Sequence, residues 1–91
     1  MGLMVIHHKV KDFAAWKQGY DAHAPTRQAA GLTKGRVFQS ADDPTDVLVL
    51  LDMADAKRAK EFAKSPDLKS AMQRAGVVGT PTLHFLAGPV S

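Results

Sequence analysis

The stretch Val47-Leu48-Val49-Leu50-Leu51-Asp52-Met53 constrains this chain more than any other. It is rich in β-branched and aliphatic residues and follows a turn cluster, Asp42-Asp43-Pro44-Thr45, so it reads as a strand. Side chains alternate across a strand, which sends Val47, Val49, Leu51 and Met53 one way and Leu48, Leu50 and Asp52 the other. Neither set suits water. Such a strand belongs in the middle of a sheet with both faces covered.

The rest of the chain supplies that sheet. Residues 3–10 form a first strand, and residues 33–40 a shorter, more polar one. A final strand is expected over 81–87. Asp12 reads as an N-cap, and Phe13, Trp16, Tyr20 and Ala24 follow at helical spacing as one apolar stripe. Pro25 should bend or interrupt that helix, residues 26–30 add a last turn, and Gly31 closes it. A second helix over about 55–64 carries Ala56, Ala59, Phe62 and Ala63 on one side. It restarts at Ser65-Pro66-Asp67, with Ser65 as N-cap and Pro66 in the first turn, buries Leu68, Ala71, Met72 and Ala75, and ends at Gly76. The order is β-α-β-β-α-β, an α+β ferredoxin-like pattern. Right-handed crossovers give an antiparallel sheet in the order 4-1-3-2 with the helices on one face. Strands one and three, the two most apolar, then fall in the centre.

A partner follows from the same pattern. The helices cover one face, and the other is apolar too whichever it is: Leu3 and Val5 stand opposite Met4, Ile6 and Val10 on strand one, as Leu48 and Leu50 stand opposite Val47, Val49, Leu51 and Met53 on strand three. An exposed patch of that kind is larger than a monomer usually tolerates. Sealing ~400 Å² of it is worth on the order of 10 kcal/mol before association costs. With 91 residues and no cysteine, the chain forms one small domain, 1–91, that disulfides cannot staple. Homodimerisation through the open sheet face is the expected solution; the alternative is a hydrophobic face covered by loops.

The strand-one ending and helix opening, Val10-Lys11-Asp12-Phe13 with Trp16, Tyr20, His23, Arg27 and Gly31, resemble the dimeric α/β-barrel superfamily. So do Ser65-Pro66-Asp67-Leu68, Met72 and Gly76. That superfamily includes the antibiotic-biosynthesis-monooxygenase-like small proteins, haem-degrading monooxygenases and muconolactone isomerases. The resemblance spans nearly the whole chain and implies two sheets face to face around a barrel, with a cleft beside each helix layer. Its motifs are architectural and select no reaction. Haem-degrading members use an Asn-Trp-His set, and this chain contains no asparagine.

Two groups of residues can carry chemistry. Trp16, Tyr20, His23 and Arg27 lie at successive spacings of 4, 3 and 4, which aligns them along one helical stripe. Trp16 and Tyr20 can wall a substrate site, His23 can move a proton, and Arg27 can hold an anionic group. The plainer reading makes Trp16 core, Tyr20 its margin, and His23 and Arg27 solvated. The second group is His7, His8 and His84. Adjacent strand residues face opposite ways, so His7 and His8 cannot share a metal, and strand four should bring His84 beside strand one. His23 and His84 are the catalytic candidates, with Trp16, Tyr20, Arg27 and His7 as substrate-binding residues. No metal or other cofactor is expected.

Several classes lack their parts. Gly76-Val77-Val78-Gly79 follows a helix instead of opening one, so it is no phosphate loop, and there is no nucleophile elbow. RNA-recognition domains share the element order, but they need aromatics on the central strands, and strand three has none. The net charge of +3 is spread over helical segments as a solvated face. The chain therefore reads as cytoplasmic, without nucleic-acid or membrane partners. The expectation is a homodimeric small-molecule-binding barrel protein with cofactor-independent monooxygenase-, isomerase- or cyclase-like chemistry on an aromatic or apolar metabolite, or else a non-catalytic ligand-binding or stress-associated dimeric scaffold.

Overall fold

The computed structural model describes residues 2–90. Its elements are β1 (Gly2–Val10), α1 (Phe13–Ala22), α2 (Ala24–Ala29), β2 (Leu32–Gln39), β3 (Asp46–Met53), α3 (Ala56–Ala63), α4 (Pro66–Arg74) and β4 (Val77–Leu86). The four strands form one antiparallel sheet in the order β2-β3-β1-β4, the expected arrangement read from the other edge.

Each helix starts and stops where the local chemistry dictates. Asp12 accepts a hydrogen bond from the Ala14 N–H, and the Ser65 hydroxyl accepts one from the Leu68 N–H, satisfying donors that a first turn leaves free. Pro25 splits the first helix: α1 ends at Ala22, and α2 begins with the proline in its first turn. Gly31 and Gly76 then adopt positive φ values of 79° and 85°, the left-handed closure that a side chain resists. The largest departure from expectation is β4, which begins at Val77 and not at Pro81. The Lys11 N–H donates to the Gly76 carbonyl, and Val77 pairs with Val10, so the chain re-enters the sheet as soon as α4 ends.

The core lies between sheet and helices. Met4, Ile6 and Val10 of β1 and Val47, Val49, Leu51 and Met53 of β3 are buried, packed with Trp16, Ala59, Phe62 and Leu68 from the helices. The opposite face carries Leu3, Val5, Leu48 and Leu50, with Phe38 from β2 and Leu86 from β4 half exposed. Polar pairs stand at its margins: His7 Nε2 donates to Asp46 at 2.7 Å, and Arg36 to Asp52 at 2.9 Å. Among the described residues, no helix is long and apolar enough to cross a membrane.

Candidate active-site cavity

A cavity of about 50 Å³ lies beside the α1 stripe, between the helices and the centre of the sheet. Ile6 and His8 of β1 and Val49 of β3 form its floor. Trp16, Tyr20 and His23 wall one side, and Phe62, Leu68 and Met72 the other. Gly19 and Ala75 close the gap between α1 and α4, where a Cβ on the glycine would stand 3.1 Å from the alanine Cβ. Two larger grooves share these walls. One, of about 300 Å³ between α4 and β4, shares Leu68 and Met72. The other, of about 430 Å³ outside α1 and α4, shares Gly19, His23, Ala71 and Ala75.

The polar groups form a stacked row. His8 packs on Trp16 with ring centroids 5.3 Å apart, Trp16 stacks on Tyr20 at 5.1 Å, and the Arg27 guanidinium lies 3.7 Å over the Tyr20 ring. Arg27 is 9% exposed and donates from Nη1 to the Tyr20 carbonyl at 2.6 Å. Its charge is thereby spent on the end of α1 and on an aromatic face, and burial lowers its pKa. The Tyr20 hydroxyl reaches over Gly35 of β2, at a β-bulge, where any Cβ would collide with it. It finds no protein partner there. His23 sits at the α1–α2 junction with its side chain 15% exposed, 5.9 Å from the Phe62 ring and 3.5 Å from Asp67 at the start of α4.

The structure brings Trp16, Tyr20, His23 and Arg27 together on this cavity. It does not bring His7 or His84 to them. His84 pairs with Val5, and His7 with Thr82, on the face turned away from the helices, because β1 residues with odd numbers and β4 residues with even numbers point there. Both are exposed.

The residue missing from the expected set is His8. It is 6% exposed, neither ring nitrogen has a protein partner, and burial, more than its neighbour His7, lowers its pKa. Alternation puts His8 on one face with Met4, Ile6 and Val10 and His7 on the other with Leu3 and Val5, and the helices cover the face of His8. Among the described residues, no three His, Cys, Asp or Glu side chains cluster closely enough to hold a metal ion.

Solved structures with this arrangement span the whole chain. A protein of Bordetella bronchiseptica classed as a candidate antibiotic biosynthesis monooxygenase superposes with a TM-score of 0.79 at 15% identity, over 99% of this chain and 100% of that one. The fold is that of the antibiotic-biosynthesis-monooxygenase-like proteins. A counterpart from Nitrosomonas europaea gives 0.71 at 18% identity, over 97% and 98% of the two chains. SnoaB, a cofactor-independent oxygenase from Streptomyces nogalater, gives 0.71 at 11% identity, over 98% and 95%. No family model matches the sequence, and no curated protein matches it either.

Proposed function

We propose that this chain is a homodimeric small-molecule-binding protein with cofactor-independent monooxygenase chemistry on an aromatic or apolar metabolite. The observation that carries the reading is the cavity itself: a largely apolar space between the helices and the sheet, walled by the Trp16–Tyr20 stack and lined by the buried, unpartnered imidazole of His8. Such a site is largely apolar and presents an aromatic wall, the setting in which an electron-rich bound molecule can react directly with O2. The fold's occurrence in SnoaB, a cofactor-independent oxygenase, supports the same class.

At about 50 Å³ the cavity is smaller than the ~300–1,000 Å³ typical of ligand sites. Leu68 and Met72 line both it and the groove between α4 and β4, and a methionine changes rotamer at little cost. Displacement of these two side chains on binding would join the two spaces.

Dimerisation covers the apolar face opposite the helices, where Phe38 and Leu86 are 50% and 46% exposed. In that dimer His7 and His84 lie inside the barrel and not in the helix-layer cavity. The test is oxygen uptake with a panel of hydroquinones and phenols. Consumption of one O2 per phenol converted to a quinone and one water, or per hydroquinone converted to a hydroxyquinone and one water, supports the enzyme. Saturable binding without uptake favours the non-catalytic scaffold.

A further inference from the structure

We propose that His8 is the polar anchor of the cavity, accepting a hydrogen bond from a hydroxyl or N–H of a neutral, largely apolar ligand. This rests on the reading of the cavity as a ligand site and assigns that site a contact residue outside the α1 stripe.

Three observations converge on His8. First, it lines the cavity, is 6% exposed, and has no protein partner for either ring nitrogen. Buried imidazoles in folded proteins are almost always hydrogen-bonded, so a lining histidine with both ring nitrogens buried and unpartnered points to a bond that a bound molecule can complete. Packing alone does not ask for histidine here, since Ile6 and Val10 fill the adjoining positions on the same face.

Second, the sheet is irregular at this residue. His7 pairs with Thr82 and Lys9 with Val78, so Gly79, Thr80 and Pro81 of β4 bulge out opposite His8, which keeps its partner Val47 on β3. Bulges recur beside binding and active sites. Third, the Trp16 ring at 5.3 Å fixes the imidazole plane, so the free nitrogens have a defined direction.

Of the other polar side chains that line the cavity, Tyr20 carries its hydroxyl away over Gly35 of β2, and two more have partners of their own. Arg27 is held by the Tyr20 carbonyl and ring, and His23 stands 3.5 Å from Asp67. Burial keeps His8 neutral, with one N–H and one lone pair, which suits a neutral ligand better than an anion. Where the ligand donor is an acidic hydroxyl, the same lone pair takes its proton. The O–H bond breaks, an N–H bond forms, and the electron pair stays on the ligand oxygen beside the imidazolium.

The probes are 1-naphthol and naphthalene, which differ by one hydroxyl, titrated calorimetrically into the whole protein. Wild type is expected to prefer 1-naphthol by about tenfold, the order of one buried hydrogen bond. His8→Phe is expected to bring the two within about twofold, and His8→Gln to retain part of the preference. Because His8→Phe alters the core, ring-nitrogen NMR of the wild type gives an independent reading: 1-naphthol should shift the His8 resonances. Saturable 1-naphthol binding with those resonances unmoved, or a folded His8→Phe that keeps the preference, overturns the role of His8 alone. If neither probe binds and the Met72 methyl signal stays still, the ligand-site reading falls, and this proposal with it.

Discussion

The His8 imidazole lies against the Trp16 indole with ring centroids 5.3 Å apart, joining the central strand β1 to the stripe of α1 inside the core. Strand alternation placed one ring there and helical spacing the other. The pair links the stability of the protein to the protonation of a single buried group.

His8 makes stability fall in acid. Burial lowers its pKa below the ordinary 6.5, so the unfolded chain binds the proton more tightly than the folded one. The stability this neutral imidazole contributes is complete above about pH 6.5, and it is lost as pH falls from there through the folded value. Urea unfolding between pH 7.5 and 5 should show a decline that His8→Gln flattens relative to wild type. An identical slope in both proteins contradicts this account.

Trp16 is the only tryptophan, and it is 4% exposed. Its emission should be blue-shifted in the native state and move red on unfolding. Trp16→Ala removes the wall between His8 and Tyr20 and should cost about 3–5 kcal/mol by denaturant titration. Trp16→Phe keeps most of the packing and should cost less than half as much.

Gly35 and Tyr20 form a coupled pair. Gly35→Ala places a methyl group against the Tyr20 hydroxyl and should cost about 1–3 kcal/mol as an overpacked contact. Tyr20→Phe alone removes an unpartnered hydroxyl and should be close to neutral. In the double variant the two costs should not add, because deleting the hydroxyl makes room for the methyl group. Strict additivity in thermal unfolding contradicts the contact.

The two faces of β3 separate folding from association. Val49 is 1% exposed and faces the helices, so Val49→Asp buries an unpaired charge and should leave the chain unfolded or insoluble. Leu50 points to the open face, so Leu50→Asp should leave a folded monomer. Light scattering after size exclusion should give about 20 kDa for wild type, twice the 9.8 kDa chain. A wild-type protein that runs as a monomer at micromolar concentration contradicts the proposed dimer.

The architecture was legible because local signals agreed with one another. The caps at Asp12 and Ser65, the break at Pro25 and the two apolar faces of β3 all point to the same sheet order. The start of β4 was not legible, since Val77-Val78-Gly79-Thr80 carries turn residues and enters the sheet through pairing with Val10 and Lys9. The α1 half of the site could be read from spacing alone. His8 could not be singled out from His7, because the sequence shows that the two face oppositely but not which face the helices cover. Arg27 reads as an anion holder by residue type, and the helix end beside it claimed its charge first.

Methyl NMR of the methionines during titration with an aromatic ligand tests the central claim most directly. Met72 lines both the helix-layer cavity and the α4–β4 groove, while Met53 lies at the far end of β3 beside Gly2 and Leu86. A ligand that enters the helix-layer cavity should shift the Met72 methyl saturably and leave Met53 in place. Saturable binding that moves Met53 and not Met72 would place the ligand elsewhere and contradict the account.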